Sequence, residues 1–337
     1  MTTVKEIAGK LFSRLTPRKA VQLVSLAIIV IAAVQLYLFV HGIRQDGGAS
    51  AFTYRPALLE GFLPIGAIMA AKYWIMTGIY DPVHPAGLTI LLTAAAISFL
   101  FRRSFCSWFC PIGTISEWLG KLGFRLFKKD LRLPVFLHYP LMVLKYALLF
   151  FIIYFFVIQL PVEYIASFMN IPDYLVADIK ILDFWRNVNT PVLLFIVIMI
   201  VLSVIFKNFW CRYLCPYGAL LSLPALLSPL GIMRNKESCI NCGRCSRACP
   251  NDIKVETKSR VNSLECTACL NCTQACPVDH TLTPKWFRLS LTPKVIAASI
   301  FVIYFGIVLY AKLTGAWQTV LTFSDYVQLL GPGGFGI

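Results

Sequence analysis

The sequence predicts a mainly α-helical, polytopic membrane protein whose helix bundle carries an inserted cysteine-rich polar segment. Three observations predict this fold class. Hydrophobic residues make up 58% of the 337-residue chain, charged residues only 14%, and the mean hydropathy is +0.72. Soluble domains carry roughly 25% charged residues, so the composition excludes an ordinary soluble protein. Long apolar runs recur along the chain, and eight of the twelve cysteines lie in one short polar stretch.

Five apolar runs are long enough to cross the roughly 30 Å hydrocarbon layer of a membrane. They lie at about 21–41, 87–103, 137–160, 191–206 and 294–313. The first run follows basic residues, as in a signal peptide, but it is longer than the usual apolar region and no small-residue cleavage site follows it. We therefore expect a retained span. The interrupted run at 62–80 fits a re-entrant or interfacial helix better than a sixth span.

The distribution of positive charge predicts the orientation. Lys and Arg number five before the first span, seven between Arg102 and Arg132 and twelve between Lys207 and Lys294, but only three and two in the other connections. Basic residues crowd cytoplasmic loops, so the N-terminus is expected inside and the C-terminus outside. The net charge of +15 is explained in this way and does not require a nucleic-acid partner.

These assignments divide the chain into five parts. They are a cytoplasmic basic N-terminus (1–20), a membrane domain with four spans (21–233), a cytoplasmic cysteine-rich domain (234–285), a fifth span (286–313) and an outer, periplasmic tail (314–337).

The cysteine-rich domain contains the strongest motif in the chain, C-x2-C-x2-C-x3-C-P, twice. The two copies, CINCGRCSRACP and CTACLNCTQACP, hold the cysteines 239, 242, 245, 249 and 266, 269, 272, 276. In bacterial two-cluster ferredoxins the fourth cysteine of each copy serves the other cluster. We therefore assign one 4Fe-4S cluster to Cys239, Cys242, Cys245 and Cys276. The second cluster is assigned to Cys249, Cys266, Cys269 and Cys272.

Disulfides and structural zinc are the alternatives for these cysteines. Disulfides are disfavoured because the segment lies among the cytoplasmic basic residues, where thiols stay reduced. Structural zinc uses one C-x2-C pair for each half-site and does not require the longer motif repeated whole. The spacing favours iron–sulfur clusters.

The other four cysteines form two C-x3-C-P motifs, each at the end of an apolar run. RRSFCSWFCPIG holds Cys106 and Cys110, and KNFWCRYLCPYG holds Cys211 and Cys215, 105 residues later. The repetition predicts an internal pseudo-duplication that places both pairs at the same depth on the cytoplasmic side. Proline after the second cysteine suits the first position of a helix, and a positive helix N-terminus favours thiolate.

Three interpretations of these four thiols remain open. They could converge on a shared metal site or third iron–sulfur cluster, or they could form a redox-active dithiol or transient metal site. They could also pack as inert buried thiols, although equivalent positions in two repeats are hard to explain by packing.

The motifs resemble those of a known family. RSFCSWFCPIGT, WCRYLCPYGAL and RNKESCINCGRC are similar to segments of the polyferredoxin-like 4Fe-4S integral membrane proteins of the NapH, NosR and CcoG type. The resemblance covers nearly the whole chain. It implies a protein of the bacterial inner membrane that transfers electrons between quinone and iron–sulfur carriers, beside other redox subunits. The outer flavin-binding domain of NosR-type proteins has no counterpart, so flavin chemistry is not carried over.

Quinone chemistry needs an apolar slot with a few polar groups that orient the carbonyls and move protons. The outer segment KYWIMTGIYDPVHP offers such groups, and polar residues at membrane depth are functional candidates. They are Lys72, Tyr73, Tyr80, Asp81 and His84. An interfacial aromatic belt with a snorkelling lysine is the simpler alternative. No haem is expected, because C-x-x-C-H is absent and the four histidines form no pair at helical spacing within one span.

The leading functional prediction is an electron-transfer subunit that relays electrons between quinone or quinol, or a membrane partner, and the two cytoplasmic clusters. One alternative is a metal reductase or assembly factor that holds copper on the C-x3-C-P cysteines, since thiolates suit cuprous copper. The other is a redox sensor. The basic flank of the cysteine-rich domain could dock an acidic soluble ferredoxin or could reflect only the positive-inside bias. Its residues are Arg234, Lys236, Arg244, Arg247, Lys254, Lys258 and Arg260.

Overall fold

A computed structural model describes residues 16–47 and 54–331, and the chain is mainly helical, as predicted. Residues 1–15 and 332–337, which belong to the predicted N-terminal and outer tails, lie outside the described residues. The α-helices are Pro17–Asp46, Pro64–Thr77, Pro85–Phe101, Ser104–Trp108, Pro111–Phe127, Val135–Ile152, Val162–Phe168, Pro172–Leu175, Ala177–Arg186, Thr190–Ile205, Pro216–Leu226, Arg244–Arg247, Asn271–Gln274, Pro293–Leu313 and Phe323–Leu330. Short 3-10 helices cover Ala57–Phe62 and Val255–Thr257, and π-helices cover Ile153–Gln159 and Trp210–Leu214.

Proline begins several of these helices, including Pro64–Thr77, Pro111–Phe127 and Pro216–Leu226. The ring fixes φ near its helical value, and the missing N–H would have no partner in the first turn. Proline therefore marks where these helices start, as predicted after both C-x3-C pairs.

The predicted spans coincide with helices, but five spans are not confirmed. Pro17–Gln45, Val135–Gln159 and Pro293–Leu313 are long and apolar enough to cross a membrane by themselves. Ala177–Arg186 and Thr190–Ile205 pass the same test only as a pair, and they are bent by 87°. Pro85–Phe101 has 17 residues and falls among the shorter apolar helices. The described helices thus provide three spans, or four if the bent pair is one span.

The long helices expose apolar side chains that a soluble protein would bury. Phe136 and Leu313 are each 78% exposed, and Ile75 is 75% exposed. Such extended apolar surface marks contact with lipid or with other subunits. The composition and this surface together establish a membrane protein.

Helix Pro111–Phe127 buries polar side chains and exposes apolar ones, the reverse of a helix on the surface of a soluble protein. It buries Thr114, Ser116 and Glu117, while Trp118 and Leu122 on its other face are exposed. An apolar outer face over a polar inner one fits a helix that lies in the membrane interface.

The chain forms two compact units, and the boundaries between them fall within long helices. Unit 1 comprises Met1–Ala27, Ala96–Met142 and Met199–Ile303. Unit 2 comprises Ile28–Ala95, Val143–Ile198 and Tyr304–Ile337. All twelve cysteines belong to unit 1.

Unit 1 contains a four-stranded antiparallel sheet that the sequence analysis did not predict. Its strands are β1 (Leu230–Arg234), β2 (Arg260–Val261), β3 (Leu282–Trp286) and β4 (Leu289–Ser290), in the order β2-β1-β3-β4. β1 pairs with β3 from Leu230 opposite Trp286 to Arg234 opposite Leu282. These strands bracket both cysteine motifs, so the folded segment extends beyond the 234–285 predicted for it.

Unit 2 has a core of apolar side chains around two aromatic residues. Leu36, Phe39 and Ile43 pack with Ile179 and Tyr326. A second cluster packs Met69, Leu88, Ile165 and Met169 around Tyr174. Tyr174 and Tyr326 carry hydroxyl groups into these clusters, next to the charged residues described below.

Candidate metal centres

The first cysteine group surrounds a small cavity. Cys239, Cys242, Cys245 and Cys276 line it together with Arg234 and Ile240. These are the four residues assigned from spacing to one cluster, including the one contributed by the second motif. Cys242 is exposed and Cys239 and Cys276 are partly exposed, so this group lies near the surface of the unit.

The second cysteine group is more deeply buried. Cys249, Cys266 and Cys269 are each 8% exposed. Cys249 lies within electrostatic range of Cys266 and Cys269, and Cys272 lies within range of those three. Cys272 also interacts with Cys245 of the first group. The fold therefore places the cysteines of the second group near one another and near Cys245 of the first group, while the crossed assignment of cluster ligands stays a prediction.

The backbone has the same unusual shape at both groups. Asn241 and Gly243, which flank Cys242, have φ of 51° and 66°, and Ala268 and Leu270, which flank Cys269, have φ of 45° and 61°. Left-handed residues on both sides of a normal one turn successive N–H groups towards one concavity that favours an anion, as in many iron–sulfur sites. Strain at Ala268 and Leu270 is of the kind found at functional sites. Both loops fit an anionic thiolate cluster.

The C-x3-C-P motifs share one local structure. The second cysteine, Cys110 or Cys215, is the N-cap of the helix that begins at the following proline. Gly113 must be glycine, because a Cβ there would lie 2.1 Å from the Cys106 carbonyl oxygen. At the equivalent Gly218, a Cβ would lie 2.6 Å from Nη2 of Arg103. The glycine of the first motif therefore allows its helix to approach the turn that carries Cys106, whereas the glycine of the second motif leaves room for the Arg103 side chain.

The four C-x3-C-P thiols lie near one another. Cys211 interacts electrostatically with Cys215, Cys110 and Cys106, and Cys110 interacts with Cys106 and Cys215. Among the described residues, however, no group of three or more metal-ligating side chains is placed to hold a metal ion. The four thiols are therefore near one another, and their predicted shared metal site stays a prediction.

The predicted thiolate character of Cys110, at the N-terminus of its helix, is wrong for the unligated protein. Burial, together with the neighbouring Cys106, raises the pKa of Cys110 to about 12. Burial and three neighbouring thiols likewise raise the pKa of Cys211 well above its ordinary value. The helix N-terminus contributes less than the cost of desolvating a negative charge. Metal binding at these thiols must therefore displace protons.

The first C-x3-C-P turn is attached to the loop of the second cysteine group. Ser107 Oγ donates to the Thr267 carbonyl at 2.7 Å, and Trp108 Nε1 donates to the Ala268 carbonyl at 3.2 Å. Trp108 is only 1% exposed. These contacts place the two sets of thiols next to each other within unit 1.

Comparison with known protein families gives two matches in this chain. A 4Fe-4S binding domain matches residues 83–134 and 188–231, and a 4Fe-4S dicluster domain matches residues 231–277. The chain is also 39% identical to YccM of Escherichia coli (strain K12), described as a putative electron transport protein, over 94% of this chain and 90% of YccM. The chain belongs to the polyferredoxin-like 4Fe-4S membrane proteins.

Two more distant relatives are much longer than this chain. The chain is 29% identical to protein NirI of Paracoccus denitrificans over 60% of its length, and 28% identical to regulatory protein NosR of Pseudomonas aeruginosa over 64%. It spans only 27% of either relative. No solved structure matches the chain. Family membership and the matched domains establish an iron–sulfur protein, although pseudo-duplication and a third cluster are not confirmed.

The five residues predicted for a quinone site lie in unit 2, in different environments. Lys72 donates through Nζ to the Leu160 carbonyl, and the Tyr80 hydroxyl pairs with Thr89 Oγ1 at 2.7 Å. Tyr73 packs at the edge of the second apolar cluster of this unit. Asp81 and His84 instead are buried in a network of charged groups.

Sequence analysis missed most members of this buried network. Arg55 donates to Asp178 at 2.7 Å and to Glu60 at 2.9 Å, and the Tyr174 hydroxyl donates to Asp81 at 2.5 Å. The sequence shows these residues only as polar groups near apolar stretches, and Asp178 and Tyr174 lie 123 and 93 residues from their partners in the chain.

The His84 ring can form hydrogen bonds in this network in both its neutral and its protonated form. Its Nε2 donates to the Tyr174 carbonyl at 2.7 Å, so Nδ1 is the titrating atom. Nδ1 lies 3.3 Å from Arg55 Nη2, which can donate to it, and 3.4 Å from Glu60 Oε1, to which imidazolium can donate. Burial lowers the pKa of His84, but the hydrogen bond and charge of Glu60 outweigh it, so the pKa is raised.

Proposed function

We propose that this chain is an integral-membrane electron-transfer protein that passes single electrons through two 4Fe-4S clusters held by the first and second cysteine groups. The observation that carries the proposal is the crossed grouping of eight cysteines, with Cys272 of one group next to Cys245 of the other. Adjacent clusters of this kind conduct electrons without moving atoms. The name of YccM points to the same activity.

The clusters are proposed to exchange electrons with quinone or quinol, or with a membrane partner, on one side and with a carrier on the other. Charge distribution supports a bacterial inner-membrane protein with a cytoplasmic cluster domain and a periplasmic C-terminus. For the quinone we propose the outer segment with Lys72, Tyr73, Tyr80, Asp81 and His84. The two hydrogen-bonded states of His84 support proton exchange there.

A carrier would dock at the first cysteine group. Cys242 is exposed, and Ile240 beside it is 64% exposed, which offers an apolar contact close to the cluster. Basic residues such as Arg244 and Arg247 surround this part of the unit and would attract an acidic protein such as a soluble ferredoxin.

The second candidate function is a copper reductase or assembly factor. It is favoured by one observation, the mutual proximity of the four C-x3-C-P thiols. Soft thiolate ligands suit cuprous copper, and the attached second cysteine group would supply the electron that reduces cupric to cuprous ion. A redox sensor is the third candidate, but no output domain is recognisable in the sequence.

The deciding experiment is anaerobic quantitation of iron, acid-labile sulfide and copper on the purified protein, with electron paramagnetic resonance during reduction. The wild type is compared with a Cys106→Ser/Cys211→Ser variant. About eight irons in both proteins would support two clusters, and about twelve falling to about eight would add a third cluster at the C-x3-C-P thiols, with four irons per cluster. Stoichiometric copper lost only in the variant would favour the second candidate. Absence of iron would refute the electron-transfer proposal.

A further inference from the structure

Arg102 is a buried arginine whose position the motifs did not explain. It follows helix Pro85–Phe101 with a left-handed φ of 59° and is 1% exposed. Its guanidinium donates to the Ser263 carbonyl at 2.7 Å and to the Leu230 carbonyl at 3.4 Å. Its Nη2 and the backbone N–H of Cys266, in the second cysteine group, donate to the same carbonyl, that of Ser263, so the positive charge of Arg102 lies close to Cys266.

Arg102 and its neighbour Arg103 differ in whether a carboxylate lies beside the guanidinium group. Arg103 Nη1 lies 3.1 Å from Glu265 Oε2, so a carboxylate offsets its charge. Within the part of the chain that the structure describes, the hydrogen bonds of the Arg102 side chain go to carbonyl oxygens, and its buried Nε has no hydrogen-bond partner. Carbonyl oxygens solvate a guanidinium but do not cancel its charge, and arginine stays protonated in proteins.

A buried positive charge against a cluster ligand favours the reduced cluster. Reduction adds one electron, and therefore one negative charge, without making or breaking a bond. A nearby positive charge stabilises the more negative state, and it acts strongly where water is excluded. Nearby charge and solvent exposure are among the determinants by which a protein sets a cluster's reduction potential.

We propose that Arg102 raises the reduction potential of the cluster held by Cys249, Cys266, Cys269 and Cys272. This inference rests on the proposed function only for the presence of that cluster. Arg234 offers a matched comparison, because its Nη1 lies 3.4 Å from Cys239 Sγ of the first group. Arg234 is partly exposed, so water screens its charge and its effect on the other cluster is smaller.

The test is a redox titration with a chemical reductant, followed by electron paramagnetic resonance, on the whole purified protein. Arg102→Gln is expected to lower one of the two cluster potentials and to leave the other unchanged. Arg234→Gln is expected to lower the other potential by less. Lys258→Gln, at an exposed position, serves as the control and should move neither potential.

A second variant, expected to shift the reduction potential in the opposite direction, allows the proposal to be tested even if Arg102→Gln does not fold. Glu265→Gln removes a negative charge beside Cys266 and should raise the potential that Arg102→Gln lowers. Arg102→Lys, which keeps the charge, should shift that potential less than Arg102→Gln does. Unchanged potentials in an Arg102→Gln variant with full iron content would refute the proposal. If Arg102→Gln does not assemble its clusters, an unchanged potential in Glu265→Gln refutes it instead.

Failure of the proposed function gives a different result. Absence of clusters in the wild type would remove the electron-transfer proposal itself. Full iron content with both reduction potentials unchanged in the Arg102 and Glu265 variants would refute only the effect of Arg102 on the potential. The proposed electron transfer would stand, because neither quinone nor a partner protein takes part in the titration.

Discussion

Both units of this protein bury an arginine, and the two arginines have opposite surroundings. In unit 2, Arg55 lies between the carboxylates of Asp178 and Glu60, at 2.7 and 2.9 Å. In unit 1, Arg102 donates to backbone carbonyls and lies close to Cys266 of the second group. A buried charge held by opposite charges stabilises a network, whereas one held by carbonyl oxygens remains available to act on a neighbour. The partners, not the residue type, determine what each arginine does.

The units also differ in the chemistry that each can support. Unit 1 gathers thiols, which bind metal and exchange electrons. Unit 2 gathers Glu60, Asp81, Asp178 and His84, which exchange protons. Two carboxylates, those of Glu60 and Asp178, act on Arg55 and His84, so protonation of His84 brings this buried group closer to neutrality. Variants in one unit should therefore change stability and pH dependence, and variants in the other should change the clusters.

The largest effect is expected from Arg55→Met. Removal of one partner leaves Asp178 and Glu60 buried without their cation, which typically costs about 3–5 kcal/mol of unfolding free energy. Denaturant unfolding in detergent measures it, with Arg44→Met as control. Arg44 pairs with Asp183 in a partly exposed position, where about 0–1 kcal/mol is expected. Iron content should stay unchanged in both variants. Iron loss in Arg55→Met alone would contradict the expectation that variants in unit 2 leave the clusters of unit 1 intact.

A smaller effect, confined to unit 1, is expected from Gly113→Ala. The added Cβ would lie 2.1 Å from the Cys106 carbonyl, so the turn or the helix must move, at about 1–3 kcal/mol. We expect lowered metal content at the C-x3-C-P thiols, measured as in the iron and copper quantitation. Gly306→Ala is the control, since a Cβ there meets open space in a membrane helix. Equal metal content in all three proteins would show that these thiols hold none.

The smallest effect is a pH dependence at His84. Its pKa is raised in the folded protein, so its contribution to stability is full below the unfolded value of about 6.5 and is lost as pH rises through the folded value. A tenfold difference in proton affinity between the folded and unfolded states corresponds to about 1.4 kcal/mol. We expect His84→Gln to flatten the fall in stability above pH 6.5. His280→Asn, at an exposed left-handed position, should keep the wild-type slope, and the same slope in His84→Gln would contradict the prediction.

The cluster ligands were predictable because the motif encodes them locally. Cys242 and Cys245 are three residues apart, and their spacing alone restricts which irons they can reach. The helix starts at Pro111 and Pro216 were predictable for the same reason, since proline acts on its own turn. The span count was less predictable. Length and hydropathy locate helix Thr190–Ile205, but they do not report the 87° bend that precedes it.

The charged network of unit 2 and the position of Arg102 were not predictable from local pattern. Arg55 and Asp178 are 123 residues apart, and Arg102 and Ser263 are 161 residues apart. The thiolate prediction for Cys110 failed because burial, which depends on the whole fold, exceeded the effect of the helix N-terminus.

The sequence by itself determined the membrane composition, the two four-cysteine motifs and the family, and it predicts the crossed grouping of the cluster ligands. These follow from hydropathy and from spacing over a few residues, which short-range geometry converts directly into structure. Tertiary structure alone decided which charges meet, which thiols lose contact with water and which cysteine group Arg102 touches. The reason is physical, because desolvation and pairing depend on distances between residues far apart in the chain, and only folding determines those distances.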